Sequence, residues 1–399
     1  ALGNVSSPVW TTMSFCNSLV MGASILISQS VGAEKREDIG EYAGAMLKYN
    51  NIIPIFLCFF WMIFPKPVFM ILGVSDNVMP LCLGYVRWYA PLFLLTGLGG
   101  SLGVILQTSN YTKPLVVYGC VRSGLNIFLD WVLIFGNFGM PALGIEGAAI
   151  ATVIAEYVGA IYIAVIFFTS KKLPTRPSWN DVKKGHFRSY LNSAKLGINI
   201  AFEDFAWNIG NLILIRILNS INEYAAGIYT IIFGVEVLAV VIIGAIGSGT
   251  MTLTSEATGR KDLAQYKGIT LCAYAFCAIV TVVMIVGAVL FPEQILSLFT
   301  SDKTVIASCG IYLLLIGINL FSKSGNIIIG NAIRGSGNTK WMLFTQIFGT
   351  IWIVGVASVL VFVCRLGILG VFLAVLLDEG VRALINFWKY LRIVKKWRE

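Results

Sequence analysis

The chain has 399 residues, 57% of them hydrophobic and only 12% charged, where soluble chains carry about a quarter charged residues. Its mean hydropathy is +0.82, which excludes an ordinary water-soluble globule and makes lipid the solvent. The formal charge of +9 raises nucleic acid as a partner, and the placement of the basic residues excludes it. Apolar stretches long enough to cross a hydrocarbon layer of about 30 Å as helices follow one another along the chain. Eleven are predicted, at 5–30, 43–64, 78–106, 114–136, 144–169, 191–218, 224–254, 268–291, 304–330, 341–363 and 367–391. Unbroken runs such as Ile279 to Leu290 fit helices and not the short alternating segments of a β-barrel.

With the start of the chain placed outside, the alternate connections and the C-terminal tail hold 19 basic residues, from Lys35 and Arg36 to Lys395, Lys396 and Arg398. The opposite connections hold 3, Lys66, Lys303 and Arg365. That asymmetry predicts a cytoplasmic C-terminus by the positive-inside bias and leaves no nucleic-acid patch. The eight cysteines fall in or beside apolar stretches without metal-like spacing, and read as packing residues. No signal peptide is visible at Ala1, and a segment upstream is expected.

Sliding the chain against itself by 227 residues aligns Gly22 with Gly249, Ser28 with Ser255, Gly32 with Gly259 and Phe64-Pro65 with Phe291-Pro292. The same offset aligns Ser109, Thr112 and Lys113 with Ser336, Thr339 and Lys340, and after a four-residue slip Leu143 to Gly147 lies over Leu366 to Gly370. An offset containing six helices makes the repeat parallel. Because the partner of 191–218 would lie upstream of residue 1, twelve helices are implied, six and six. The expected organisation is an N-terminal bundle at 1–170 with five of its helices present, a basic cytoplasmic linker at 171–190 with Pro174 and Pro177, and a six-helix C-terminal bundle at 191–399.

Four motifs carry a family likeness. Ser28-Gln29-Ser30-Val31-Gly32-Ala33 resembles the Gln-x-x-Gly-Ala signature of the multidrug and toxic compound extrusion (MATE) transporters, and Ser255 to Gly259 resembles its second-half copy, with Glu256 where the family has Gln. Ile333 to Lys340 is similar to the family's Leu-Arg-Gly-x-Gly-Asp-Thr loop, and Asn126 to Asp130 followed by Ile134-Phe135-Gly136 to its fifth-helix pattern. The resemblance covers essentially the whole chain. It implies an all-α integral membrane protein with two six-helix bundles in a V around a central cavity, and export driven by inward protons or sodium. The family's best-known cation-binding acid sits on the first helix, which this chain does not contain. Some members carry an Asp about eleven residues before the loop Arg; that position is Lys323 here, and a charged lysine cannot ligate sodium.

Ionisable groups inside spans cost several kcal/mol unless paired or hydrated, so they mark a pathway by default. Glu203, twelve residues into its span, lies about 18 Å deep at 1.5 Å per residue, and Glu236 reaches a similar depth. Asn199, Glu203, Trp207 and Gly210 share one helix face and Asp204, Asn208 and Asn211 the next, as a cavity wall would. A carboxylate beside a desolvated Trp face suits an organic cation, with cation–π attraction of about 1–2 kcal/mol. On this reading a proton and the cation compete for Glu203, which gives antiport. The alternative is that Glu203, Asp204 and Glu236 only brace helices through ion pairs with Lys323 or Lys195. Lys323 fits both readings, since a lysine released when its acid is protonated makes a switch. Asp378 and Arg382 read as an i,i+4 pair with Glu379 as an extra acid. Asp130 and Glu156 have Arg122 or Arg87 as candidate partners, or form a coupling site if an upstream helix supplies another acid. His186, the one histidine, lies in the linker and reads as solvated.

No nucleotide-binding Gly-x-x-x-x-Gly-Lys motif exists, and the loops lack a catalytic cluster, so neither ATP hydrolysis nor membrane enzymology is expected. The expected function is secondary-active export of cationic or amphipathic compounds from a plasma-membrane monomer with no cofactor. A lipid-linked saccharide flippase of the same superfamily is the alternative, and a channel or receptor a remoter one.

Overall fold

A computed structural model describes residues 2–222, 224–300 and 303–397, and every regular element within them is helical. Arg398, counted above in the basic tail, lies outside the described residues. Helices occupy all eleven expected positions. Among the described residues, eight helices are long and apolar enough to span a membrane, or nine if one bent pair counts as a single span. Packing divides the chain into Ala1–Ala201 and Phe202–Glu399, a boundary that falls inside a long helix rather than in the basic segment at 171–190.

The first unit contains α1 (Leu2–Gly32), α2 (Arg36–Tyr49), α3 (Ile52–Ile63), α4 (Pro65–Ile71), α5 (Met79–Tyr89), α6 (Leu92–Thr108), α7 (Lys113–Phe135), α8 (Gly144–Thr169), α9 (Trp179–Lys184) and the start of α10 (Phe187–Asn219). Two of its spans are broken, and proline explains both. Pro54 has no N–H to give the carbonyl of Asn50 and its ring presses on that carbonyl, so α2 and α3 part there. Pro91 does the same one turn after Arg87, where α5 and α6 meet at 40°. Close approach needs small residues: a Cβ on Gly22 of α1 would stand 2.5 Å from the Gly197 nitrogen of α10. The core is apolar, built on Val20, Ile27, Met46, Ile105 and Phe167. The basic connection is tied down over α2 and α6. Ser178 and Asp181 form a reciprocal capping box that starts α9, Lys48 Nζ donates to the carbonyls of Lys183 (3.0 Å) and Gly185 (3.3 Å), and Thr175 Oγ1 donates to the Ile105 carbonyl at 2.9 Å.

The second unit contains the rest of α10, α11 (Ala225–Arg260), α12 (Leu263–Leu290), α13 (Pro292–Ser297), α14 (Lys303–Gly335), α15 (Thr339–Ser358) with a π-helical turn at Val359–Val363, and α16 (Gly367–Lys396). Its core is Leu218, Ile232, Leu313 and Phe372, with Tyr312 stacked on Phe372 at 4.6 Å. The internal repeat is visible in the elements. Shifting α2–α3, 36–63, by 227 gives 263–290, the bounds of α12, and shifting α8 by 223 gives 367–392, within α16. Many large apolar side chains point outward, among them Ile127, Phe168, Val283 and Leu384. In water such a surface would aggregate; hydrocarbon is its natural solvent, and helices satisfy their own backbone groups there.

Candidate functional site

The second unit concentrates buried charge in one place. From α10 comes Glu203, from α11 Glu236, from α14 Lys323 and Arg334, and from α16 Asp378, Glu379 and Arg382. Lys323 Nζ donates to Glu236 Oε1 at 2.8 Å and stands 4.0 Å from Glu379 Oε1. Arg382 spans two carboxylates of its own helix, Asp378 Oδ2 at 2.8 Å and Glu379 Oε1 at 3.0 Å, and donates to Gln346 Oε1 at 2.8 Å. Asn326 donates to Glu379 Oε2 at 2.6 Å, and Asn386 to Asn326 Oδ1 at 3.1 Å. Arg334 Nη2 reaches Glu203 Oε1 at 2.5 Å.

These contacts need room at the backbone. A Cβ on Gly349 of α15 would stand 2.4 Å from Cδ of Arg382, so glycine there admits the guanidinium between α15 and α16. Beside the network lies a narrow pocket walled by the rings of Trp207, Tyr229 and Phe233 and by Glu236, Lys323, Glu379 and Arg382; in this conformation it has space for a few waters. Ammonium and aromatic face meet here, with Lys323 Nζ 5.9 Å from the Phe233 centroid and Trp207 packed on Phe233 at 6.1 Å.

The residues singled out in the sequence scatter around this centre. Glu236, Lys323 and Asp378 belong to it, and Trp207 lines its pocket. Glu203 is 8% exposed and its ion-pair partner is Arg334, not Lys195 or Lys323, because Arg334 comes in on the last turn of α14 while Lys195 faces outward. Glu203, Asp204 and Asn208 are not pocket-lining, and the Asn208 side chain donates to the Asp204 carbonyl at 2.8 Å. Asn199 is half-buried on the stretch of α10 that packs in the first unit. The Asp378–Arg382 pair forms as the i,i+4 spacing suggests, and Glu379 shares the same arginine. Asn319, Asn326, Phe233 and Gln346 also contact the network and carry no charge that would single them out in the sequence. The spacing of Asn319, Lys323 and Asn326 along one face of α14 was the available signal.

The first unit holds a smaller polar set. Arg122 meets Glu156 at 2.5 Å, and Tyr118 donates to the same carboxylate at 2.7 Å. Of the two candidate acids for Arg122, Glu156 takes it. Asp130 lies on the same helix, with Oδ1 buried and without a hydrogen-bond partner, and Asn126 donates to Thr152 at 3.3 Å nearby. None of the eight cysteines is in a disulfide.

A family model described as MatE matches residues 1–132 and 199–373. The chain belongs to the MatE family. This is a transporter family, not an enzyme family, and the match agrees with the motifs at Gln29, Asp130 and Arg334. A probable multidrug resistance protein NorM of Thermotoga maritima is 27% identical over 95% of this chain and 81% of its own length. An uncharacterized transporter, YisQ of Bacillus subtilis, is 24% identical over 95% of this chain and 82% of its own length. Among solved structures, the outward-facing conformation of a multidrug resistance MATE family transporter superposes with a TM-score of 0.89 at 20% identity, over 100% of this chain and 89% of that one. The fold is therefore that of a MatE transporter.

Proposed function

We propose that this chain exports cationic or amphipathic small molecules across the plasma membrane, in exchange for inward protons or sodium, by alternating access. The carrying observation is the pocket of the second unit, where carboxylates of Glu236, Asp378 and Glu379 stand with the rings of Trp207 and Phe233. Relatives named for multidrug resistance support the same reading. A cation entering the pocket meets negative charge and aromatic faces, and a proton competes for the same carboxylates. Glu203 and Asp204 do not line this pocket, and protonation of Glu203 would free Arg334 at the end of α14. Asp130 offers a second proton-accepting group in the first unit. In this reading the protein works as a monomer without a cofactor, 1–170 and 191–399 act as the two moving parts, and the segment at 171–190 and the tail face the cytoplasm.

The test is reconstitution in liposomes with ethidium as cargo, under an imposed proton gradient and then a sodium gradient, beside Glu236→Gln, whose carboxylate lines the pocket. Gradient-driven accumulation that the variant loses supports the reading, and it names the ion. If neither gradient moves ethidium, drug export is ruled out. A second reading has one observation in its favour: Arg382 and Lys323 line the same pocket, as a phosphate-bearing lipid-linked saccharide would require.

A further inference from the structure

The carboxylates around the pocket are already engaged by a cation that belongs to the chain. Lys323 is a lysine on the middle turns of α14, its side chain 12% exposed, while the Glu236 side chain against it is 1% exposed. Its ammonium faces Glu236 of α11 at 2.8 Å and Glu379 of α16 at 4.0 Å, with the Phe233 ring 5.9 Å away. The other charges of α16 at this place are Arg382 and Asp378, which neutralise each other in part. Asn319, one turn before Lys323 on α14, donates to Glu236 Oε1 at 3.5 Å.

Two further observations bear on what this group of side chains can bind. Glu236 Oε2 and Asn319 Oδ1 are both buried and have no hydrogen-bond partner, although each belongs to a residue only 1% exposed. Buried polar atoms of this kind are normally satisfied, and unpaired ones mark a place where a donor or cation fits. Charge arithmetic agrees. At the pocket Glu236, Asp378 and Glu379 face Lys323 and Arg382, three acids against two bases, which leaves one negative charge over.

We propose that Glu236, Glu379, Asn319 and Phe233 form a subsite for an ammonium group, that Lys323 fills it as a tethered cation, and that protonated amines bind by displacing Lys323 while sodium does not bind there. The donor set decides between amine and metal. An ammonium needs a few acceptors and gains from an aromatic face, and both are present. A bare hard cation needs about six oxygen ligands, and here two carboxylates and one amide share their space with a ring and a positive charge. Because the ammonium is covalently attached, its effective concentration at the subsite is on the order of millimolar or above, so free amines compete only when they bring apolar contacts to Trp207 and Phe233 as well. That makes lipophilic amines the favoured cargo. The inference rests on the export reading for its physiological meaning, but the binding itself is measurable without transport.

The experiment is thermal unfolding of the purified full chain in ethylammonium, sodium or choline chloride at matched ionic strength. Wild type is compared with Lys323→Ala, Lys323→Met and the double variant Lys323→Ala/Glu236→Gln. The expected result is a saturable rise of several degrees for Lys323→Ala in ethylammonium over choline, with a midpoint at least about tenfold below that of wild type. Lys323→Met, whose longer stem fills the opened space, shows no such rise, and the double variant loses it. Wild type responds to sodium no more than to choline. A saturable sodium response in wild type that Glu236→Gln abolishes overturns the proposal, as does a folded Lys323→Ala that ignores ethylammonium. Should Lys323→Ala not fold, wild type and Glu236→Gln decide by titration with decylammonium, whose chain reaches the aromatic wall. Wild type is then stabilised over decyltrimethylammonium and Glu236→Gln at least about tenfold less; equal responses overturn the proposal. Since these are binding measurements in detergent, a failed subsite and a failed export reading give different results: liposome flux reports the second only.

Discussion

Arg334, in the last turn of α14, holds the carboxylate of Glu203 on α10 at 2.5 Å, and the two side chains are 13% and 10% exposed. The residues are 131 positions apart, so the pair joins the start of the second unit to the motif loop that follows α14. Removing one partner leaves the other charged and buried. Arg334→Ala is expected to cost about 3–5 kcal/mol in thermal or denaturant unfolding, and adding Glu203→Gln to it restores part of the loss. A double variant no better than the single one would show that the pair does not act as a unit.

The Arg122–Glu156 pair in the first unit has the same 2.5 Å separation but a different setting, with 42% of the arginine side chain exposed. Both residues line a cavity of the first unit large enough for water, where screening weakens the pair, so Glu156→Gln is expected to shift stability by less than about 1 kcal/mol. Comparing its unfolding midpoint with that of Arg334→Ala separates the effect of burial from that of distance.

Gly349 gives Arg382 its place. Gly349→Ala pushes a methyl group into the Cδ and Nε of that arginine, which is also pinned by Asp378, Glu379 and Gln346. Overpacking here is expected to destabilise the protein by about 1–3 kcal/mol. Unchanged stability in a melting curve would mean that α15 and α16 separate more easily than their contacts suggest.

Ser178 begins α9 by accepting from the Asp181 N–H, while Asp181 accepts from the Ser178 N–H at 2.7 Å. Ser178→Ala removes half of that reciprocal cap and is expected to cost about 1 kcal/mol locally. Faster amide exchange confined to 178–185, measured by hydrogen–deuterium exchange, is the readout.

Much of the fold is legible without coordinates, because lipid imposes a simple rule: a backbone that crosses it must be helical, and its length is fixed by thickness. The repeat is legible for a related reason, since Pro65 and Pro292, or Lys113 and Lys340, mark the same helix starts twice. The site was only partly legible. The face shared by Glu203 and Trp207 follows from helical spacing, but spacing says nothing about which other helix supplies a partner. Lys195 lies on the same helix as Glu203, and Arg334, over a hundred residues away, is the one that reaches it. Asn319 and Asn326 are not legible in the sequence because a neutral amide in an apolar span carries no charge to mark it; their contacts to Glu236 and Glu379 make them part of the charge network.

The two prolines that break α2–α3 and α5–α6 have no counterparts in the repeat. Position 54 corresponds to Thr281, whose hydroxyl turns back to the Cys277 carbonyl at 2.9 Å within an uninterrupted α12, and position 91 corresponds to Ile318 inside the unbroken α14. One ancestral plan has thus been given two stiffnesses. In the copy that carries the pocket the matching helices, α12 and α14, run unbroken, and the other copy has proline breaks in two of its spans. A duplicated transporter with this division is mechanically lopsided: proline breaks make the spans of one half easier to bend, and the other half carries its carboxylates and ammonium on helices without such breaks.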